Sequence, residues 1–321
     1  MRRYDLFGIG TALVDSVAKV GDDFIKKLGL KKEATNYVTR DRLNEILGDL
    51  GSSLFSWPGD NARNVCEGIA FMGGKAAYAG RIGGDQEGVF FEKVLKRLGI
   101  ESFLEVGPGK TGRIITLVTP DMCRTFVADL GNGNGYSSVP EYGIKSSKYL
   151  FLTSITMLNG KISEVAEKAL DIAKKSGVSV SISLESAPMI LENRERLVSE
   201  VAKSDVLFGN EMEISALTGM GAENGAKKLA RRIPIICLKM GERGSKIFSG
   251  GRIISVPPHP ASVRDPTGAG DYYAAGFIFG MIRGKTVEEC GEMGAKLASM
   301  AIENLCATLT EREDHDIYPI N

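Results

Sequence analysis

The chain has 321 residues, 43% of them hydrophobic, which is enough to bury one large core with a small appendage. Its 40 basic and 40 acidic residues cancel, which argues against a nucleic-acid or membrane partner. The chain has only two histidines, which argues against zinc sites and serine–histidine hydrolysis. Its five scattered cysteines argue against a disulfide framework and predict a cytoplasmic protein.

The predicted elements alternate between strands and helices along most of the chain. Strand-like segments lie at 4–9, 13–20, 75–82, 148–152, 178–184, 205–208, 234–239 and 246–248. Helical patterns lie at 62–72, 89–98, 162–175, 192–203, 211–218 and 225–231. This alternation predicts an α/β fold with a mostly parallel sheet and helices on both faces.

One region departs from that alternation. Residues 113–118 and 124–128 have the pattern of an antiparallel hairpin. With other pieces of about 12–57 and 110–130, it is expected to form a small β lid over the carboxyl edge of the sheet, where such sheets bind ligands. We therefore predict a single domain over 1–321, a hypothetical homodimer contact through the lid, and a loosely packed tail after about residue 310.

The first half of the chain holds two polar features of interest. Asp15 ends an otherwise apolar stretch, where it is either a solvent-exposed strand-end carboxylate or a ligand contact. The turn Pro58-Gly59-Asp60-Asn61 opens a helix and brings Asn64 near its start. Ordinary helix-entry chemistry also explains this turn.

The second half holds two further loops. Asn210 follows a strand, opens a helix and precedes Glu213 by three residues, a spacing that suits a helix cap. Lys239, Gly241 and Gly244 lie in a stretch between two strands, which suits a hairpin turn with glycines at special backbone angles.

The run Asp265-Pro266-Thr267-Gly268-Ala269-Gly270-Asp271 carries the clearest chemical signal. Its small residues leave backbone N–H groups uncovered at the start of an apolar helix, where the helix dipole favours an anion. Asp271, at the far edge, is either the N-cap of that helix or a base for a hydroxyl brought against the anion. An anion cradle with a base beside it is what a kinase needs.

Together these runs resemble two signatures of the PfkB (ribokinase-like) family of carbohydrate and nucleoside kinases. The run 265–271 resembles the C-terminal signature, and 59–64 resembles the N-terminal Gly-Gly-x-x-x-Asn signature. The resemblance extends from about residue 4 to 307 and looks closest to the adenosine-kinase-like sugar kinases. It implies a ribokinase-like α/β/α sandwich with a β lid. It also implies transfer of the γ-phosphoryl group of ATP to a hydroxyl, expected to be primary, of a sugar or nucleoside.

The resemblance assigns the catalytic and acceptor-binding roles residue by residue. It implies that Asp271 is the catalytic base and that the amides of Gly268, Ala269 and Gly270 form the anion hole. It implies that acceptor hydroxyls contact three residues of the first half, Asp15, Gly59 and Asn64. Asp60 stands where a second glycine is usual, which makes it a further candidate contact.

The donor side follows from the same resemblance. It implies that Asn210 and Glu213 position Mg²⁺ and the nucleotide phosphates, largely through water. It implies that the phosphates lie beside the loop with Gly241 and Gly244, where Lys239 adds positive charge.

Three further positions concern the nucleotide and its ions. Thr267 is assigned to the nucleotide, and Asp265 is compatible with a monovalent cation such as K⁺. Lys296 falls where many relatives have an asparagine against the nucleobase, so base contacts do not carry over.

Two other classes of function stay open at this stage. A sensor that kept the fold would bind a sugar or nucleoside without consuming ATP, although the intact Asp271 and Glu213 argue against it. An NAD-dependent oxidoreductase is disfavoured because Gly8 and Gly10 lack the third glycine of a dinucleotide fingerprint and lead into a strand.

Overall fold

The computed structural model describes residues 2–51, 54–121, 123–304 and 307–309, so the predicted tail after residue 310 lies outside the described residues. Its strands are β1 (Tyr4–Ile9), β2 (Leu13–Lys19), β3 (Thr35–Tyr37), β4 (Phe55–Pro58), β5 (Ala76–Gly83), β6 (Glu101–Gly107), β7 (Gly112–Val118), β8 (Arg124–Asp129), β9 (Ser147–Thr153), β10 (Ser179–Ser183), β11 (Val206–Asn210), β12 (Ile235–Lys239), β13 (Ser245–Ser249) and β14 (Arg252–Val256).

The helices alternate with these strands. They are α1 (Asp22–Lys27), α2 (Arg40–Leu50), α3 (Asn61–Phe71), α4 (Gln86–Arg97), α5 (Glu141–Lys145), α6 (Ser154–Leu158), α7 (Ile162–Lys175), α8 (Ala187–Glu192), α9 (Arg194–Val201), α10 (Glu211–Thr218), α11 (Ala222–Leu229), α12 (Ala269–Ile282) and α13 (Val287–Ile302). In the described ranges, no helix is both long and apolar enough to cross a bilayer.

The larger sheet has the order β14-β13-β12-β11-β10-β9-β1-β5-β6, in which only β13 and β14 run antiparallel to their neighbours. Successive residues of its central strands enter opposite cores, as Leu150 and Phe151 of β9 do. One core lies under α5 and α7–α11, and the other lies under α3, α4, α12 and α13. The predicted parallel sheet with helices on both faces is confirmed.

A second sheet, the lid, has the order β3-β8-β7-β2-β4. One of its faces is covered by α1 and α2, whose apolar residues pack on Ile115, Leu117 and Val127. Side chains alternate along a strand, so the opposite face carries Asp15, Ile114, Thr116 and Phe126. On that face, Asp15 pairs with Ile114 and Thr116 pairs with Phe126. That uncovered face is the one available to the site.

The sequence analysis did not predict strands β6 and β14 or helices α1, α2 and α13, and it misplaced several helix boundaries. The predicted helix 192–203 corresponds to α9, which begins at Arg194 after the separate helix α8 ends at Glu192. The helix predicted to begin at Val89 begins at Gln86, because the Asp85 carboxylate caps it by accepting the Gly88 N–H at 2.9 Å. The hairpin predicted at 113–118 and 124–128 is confirmed as β7 and β8.

Candidate active site

The candidate catalytic carboxylate lies at the start of α12. Gly268 is the N-cap, with φ of 78°, so Asp271 is the third helical residue and not the cap. Its buried carboxylate accepts a hydrogen bond from Asn64 Nδ2 at 2.8 Å and bonds from Asn61 Nδ2 at 3.2 and 3.3 Å. The side chain is therefore directed at α3, across the opening of the loop 265–270, which is called the anion loop below.

The protonation of Asp271 is balanced between burial and its neighbours. Burial raises the pKa of the Asp271 carboxyl above its ordinary value, and the hydrogen bond from Asn64 and the charge of Lys239 offset part of that rise. A carboxylate whose pKa is raised toward neutrality is a stronger base than an exposed one. This geometry and this direction suit proton abstraction from a hydroxyl.

The anion loop lies between this carboxylate and a lysine. A Cβ built on Gly270 would approach Lys239 Nζ to 2.7 Å, so the ammonium lies directly against the loop backbone. Within the loop, the Ala269 N–H donates to Pro266 O at 3.3 Å, which is a long bond for an amide. The helix N-terminus and the ammonium make this loop a positively polarised surface.

Asp15 and Gly59 lie together on the acceptor side. A Cβ on Gly59 would collide with the Asp15 carboxylate, so only glycine leaves that carboxylate its place. Burial raises the pKa of Asp15 to about 7, with the charge of Arg63 opposing the rise and the Asp60 carboxylate adding to it. Two carboxyl groups with raised pKa values, Asp15 and Asp271, therefore occupy one site, as perturbed groups at functional sites often do.

The structure gives Asp60 a structural task. It caps α3 with the unusual φ of 92°, and its two oxygens accept the Thr11 N–H at 3.0 Å and the Arg63 N–H at 3.1 Å. Burial raises its pKa to about 6. An acceptor hydroxyl would have to share oxygens already used by the backbone, so the substrate contact predicted for Asp60 is the weakest of the acceptor-side assignments.

Asp265 and Thr267 are joined to the lid. Arg124 of β8 donates through Nη2 to Asp265 Oδ1 and through Nη1 to Thr267 Oγ1, each at 2.5 Å. The Thr267 hydroxyl itself donates to Asp265 Oδ1 at 2.6 Å. The positive charge beside Asp265 is thus a guanidinium, and the monovalent cation expected there stays a prediction.

A cavity of about 520 Å³ opens on the other side of the anion loop, a volume typical of small-molecule sites. Of the residues predicted for the donor, it is lined by Asn210, Lys239, Gly241, Gly244, Ala269 and Gly270. Its walls are otherwise largely apolar, and the predicted nucleotide residue Thr267 does not line it.

Two polar residues of this cavity were not predicted from the sequence. His259 and Ser299 line it, and the His259 Nδ1 lies 3.1 Å from Ser299 Oγ. Ser299 is on the same face of α13 as Ala295 and Ala298, whereas Lys296 is exposed and faces away. Residues four positions apart share one face of a helix, so Ser299 shares the face of Ala295. This spacing was the available sequence signal for Ser299.

Asn210 and Glu213 form a reciprocal cap at the start of α10. The Glu213 N–H donates to Asn210 Oδ1 at 2.9 Å, and the Asn210 N–H donates to Glu213 Oε2 at 2.7 Å. Burial raises the pKa of Glu213, while the charge of Lys239 lowers it. The simple capping interpretation is therefore confirmed, and it leaves Glu213 Oε1 for a further role.

Glu185 is another residue that the sequence analysis missed. It follows β10 at the carboxyl edge of the sheet, and burial raises its pKa well above the ordinary value. The Asp271 carboxylate adds to this rise, and the Lys239 ammonium opposes it. Its place just after a buried strand, as with Asn210 at the end of β11, was the available signal.

Comparisons with known proteins identify the family of the chain. The family model described as pfkB family carbohydrate kinase matches residues 36–313. An uncharacterized sugar kinase of Archaeoglobus fulgidus is 28% identical over 74% of this chain and 94% of its own length. The 5-dehydro-2-deoxygluconokinase of Bacillus subtilis is 28% identical over 76% of this chain and 80% of its own length.

Two solved structures are similar over nearly the whole chain. The adenosine kinase from Sinorhizobium meliloti has a TM-score of 0.88 at 27% identity and covers 95% of this chain and 96% of its own. A probable sugar kinase from Rhizobium etli has a TM-score of 0.89 at 26% identity and covers 96% of each chain. These findings confirm the ribokinase-like fold, and the chain belongs to the pfkB family of carbohydrate kinases.

Proposed function

We propose that this protein transfers the γ-phosphoryl group of ATP to a primary hydroxyl of a ribose-containing or related sugar substrate, in the cytoplasm. The observation that carries the proposal is the position of Asp271. It lies between Asn64 on the acceptor side and the loop with Lys239 on the donor side, and its carboxylate is buried and hydrogen-bonded.

In this proposal the acceptor lies between the lid and α3. Asp15 accepts hydrogen bonds from two of its hydroxyls, and the backbone at Gly59 approaches closely because it has no side chain. Asn64 holds the Asp271 carboxylate at 2.8 Å, so that it faces the hydroxyl that reacts. Asp271 then takes the proton of that hydroxyl, which forms the bond to phosphorus while the bond to the departing diphosphate breaks.

The loop backbone stabilises the charge that develops during transfer. The amides of Gly268, Ala269 and Gly270 lie at the N-terminus of α12, and the Lys239 ammonium lies against Gly270. Donors fixed in advance of the reaction stabilise developing charge without reorganising. The lid sheet and its Arg124 contact with Asp265 keep water from the reacting group.

The residues present fit ATP and Mg²⁺. The cavity of about 520 Å³ has apolar walls for a base and ends at the polarised loop, as a nucleotide requires. Glu213 keeps Oε1 free of the capping bonds, so it can hold a water of hydrated Mg²⁺. When bound, ATP supplies the phosphoryl group and Mg²⁺ neutralises part of its charge.

The lid face favours an acceptor with a flat apolar part. Beside Asp15, the same face of the lid carries Ile114, Thr116 and Phe126, of which Phe126 is half-buried and lies two residues from Arg124. An aromatic and an aliphatic side chain next to a carboxylate suit a nucleoside better than a simple polyol.

The experiment is ATP-to-ADP conversion with Mg²⁺ against nucleosides, pentoses, hexoses, hexose phosphates and 5-dehydro-2-deoxygluconate. We expect acceptor-dependent turnover, greatest with a nucleoside. Asp271→Asn should keep acceptor and ATP binding within a few-fold and lower kcat by roughly 10²–10⁴, while Asp49→Asn, a surface control, should leave it unchanged. Acceptor binding without turnover would instead support a sensor, and an unchanged kcat in Asp271→Asn would remove that residue from its role.

A further inference from the structure

Arg63 and Glu67 form a buried ion pair directly behind the acceptor site. They are one turn apart on α3, with side chains 0% and 1% exposed, and the Arg63 Nη1 donates to Glu67 Oε2. Burying an ion pair is costly, and well-packed apolar residues of similar volume are often no less stable. The position of this pair therefore calls for a reason besides stability.

The second nitrogen of the guanidinium supplies that reason. Arg63 Nη2 donates to Asn64 Oδ1, and Asn64 Nδ2 donates to Asp271 Oδ2 at 2.8 Å. A guanidinium can only donate and a carboxylate can only accept. If the amide of Asn64 turned over, its NH₂ would face the guanidinium and its oxygen would face the Asp271 carboxylate, so both contacts would become repulsive.

The guanidinium is itself held from behind by the end of the described chain. Arg63 Nη2 also donates to Ala307 O at 3.2 Å, and Glu67 Oε1 accepts from Thr308 Oγ1 at 2.6 Å and from the Leu309 N–H at 3.0 Å. The Tyr272 hydroxyl donates to Ala307 O at 2.8 Å. Residues 307–309 thus connect α3 to α12, the helix that carries the base.

We propose that Arg63 is a positioning residue of the kinase: its fork fixes the orientation of the Asn64 amide, which in turn aims the Asp271 carboxylate, and Glu67 with residues 307–309 fixes the fork. The inference rests on the proposed function, because it needs Asp271 to be the base. No part of it requires Arg63 to touch a substrate.

The arrangement in which Arg63 orients Asn64 and Asn64 aims Asp271 is called the lock below. The charges around Asp271 decide how the lock affects a pH profile. Lys239 and Arg63 are the cations near it, and Glu185, Glu213, Asp60 and Asp15 are the carboxyl groups whose pKa values its charge raises. The Asn64 bond and the Arg63 charge both lower the pKa of Asp271. Their loss raises that pKa further, so the acid limb of kcat, measured with the acceptor already bound at Asp15, moves to higher pH.

The main test is the double variant Arg63→Met/Glu67→Met, which replaces the ion pair with apolar side chains of similar length. We expect it to fold with a somewhat lower Tm, because the buried Leu309 N–H loses its Glu67 acceptor, and to lower kcat by about 10–10², since small misplacements of reacting groups are costly. KM for ATP should stay within two-fold, and the acid limb should move to higher pH. A folded double variant with kcat within two-fold of wild type overturns the proposal.

Arg63→Lys is the second variant, and it keeps the test decisive if the double variant does not fold. A single ammonium keeps the charge and can pair with Glu67, but it lacks the fork that reaches Asn64 at the same time. We expect its kcat to fall as well, with a smaller movement of the acid limb. Full kcat in folded Arg63→Lys overturns the lock.

A matched control is available in the lid. Arg113 and Glu87 form another largely buried ion pair, 3.1 Å apart, and Arg113 is on the lid face opposite to Asp15. Arg113→Met/Glu87→Met should change Tm without moving the acid limb. If Asp271→Asn keeps its kcat, the proposed function fails. If Asp271→Asn loses kcat and the Arg63 variants do not, only the lock fails.

Discussion

The two halves of the candidate site differ in the charge of the residues that line them. The acceptor half, between α3 and the lid, is dense with buried charge, and burial raises the pKa values of Asp15 and Asp60 to about 7 and about 6. The donor half is a cavity of about 520 Å³ with largely apolar walls. Under the proposed function, the phosphoryl donor is held mainly by backbone groups and shape, and the acceptor is recognised by charged side chains.

Apart from the proposed base Asp271, the largest effect should come from the charge of the acceptor half. Asp15→Asn should lower kcat/KM for the acceptor by about 10², since hydrogen bonds to charged groups are worth roughly 1.5–3 kcal/mol each. KM for ATP should hardly change, because Asp15 does not line the donor cavity. Steady-state kinetics with each substrate varied in turn measures both. A large rise in the KM for ATP would mean that the two halves are not separate.

The same residue gives the acceptor half its own pH dependence. Because the pKa of Asp15 is raised to about 7, its carboxyl is protonated below neutrality and accepts hydroxyls fully only above it. Acceptor affinity, measured by calorimetry, should rise between about pH 6 and 8 and then level off, and Asp15→Asn should remove this rise. An affinity that is independent of pH in wild type would contradict the assignment.

The difference between the halves also explains what the sequence could predict. The acceptor and catalytic residues are carried by short runs, 59–64 and 265–271, whose spacing is fixed by a turn and a helix start, so they could be located before the fold was known. Asn64 and Asp271 indeed meet at 2.8 Å. His259 and Ser299 are 40 residues apart and meet only because a loop crosses α13, so no local pattern marks their contact.

The positioning role proposed for Arg63 and Glu67 could not be predicted from the sequence either. Arg63 and Glu67 have the spacing of an ordinary surface pair on a helix, and only the packing of residues 307–309 against α3 shows that they are buried. Asp60 is predicted to contact the substrate because it replaces a usual glycine; its carboxylate caps α3, and the substrate contact stays a prediction. Topology and the parallel sheet were predictable because apolar runs alternate with amphipathic helices.

An intermediate effect should come from the contact that joins the lid to the anion loop. Arg124→Met removes two bonds of 2.5 Å to Asp265 and Thr267 and leaves the Asp265 carboxylate without its guanidinium. We expect kcat/KM for the acceptor to fall about ten-fold, as one charged contact is worth roughly 1.5 kcal/mol.

Lys32→Met is the matched control for Arg124→Met. Lys32 also bridges two carboxylates, Asp22 at 2.7 Å and Asp121 at 2.5 Å, but both belong to the lid region. It should therefore leave kcat/KM within two-fold. If K⁺ restores activity to Arg124→Met, a cation can serve Asp265 once the guanidinium is removed, and if the two lid variants behave alike, the contact with the loop has no special role.

The smallest effect should come from the donor half, where shape outweighs hydrogen bonding. Ser299 Oγ donates to Lys296 O at 2.7 Å and lies 3.1 Å from His259 Nδ1. Ser299→Ala should therefore release the imidazole but keep the apolar walls, and it should raise KM for ATP only two- to five-fold, about 0.5–1 kcal/mol.

Ala298→Ser, on the same face of α13, is a control that adds a hydroxyl to the cavity. Competition between ATP and GTP measures the selectivity for the base. A loss of ATP use as large as that of Asp15→Asn would show that the donor half, like the acceptor half, depends on one polar contact.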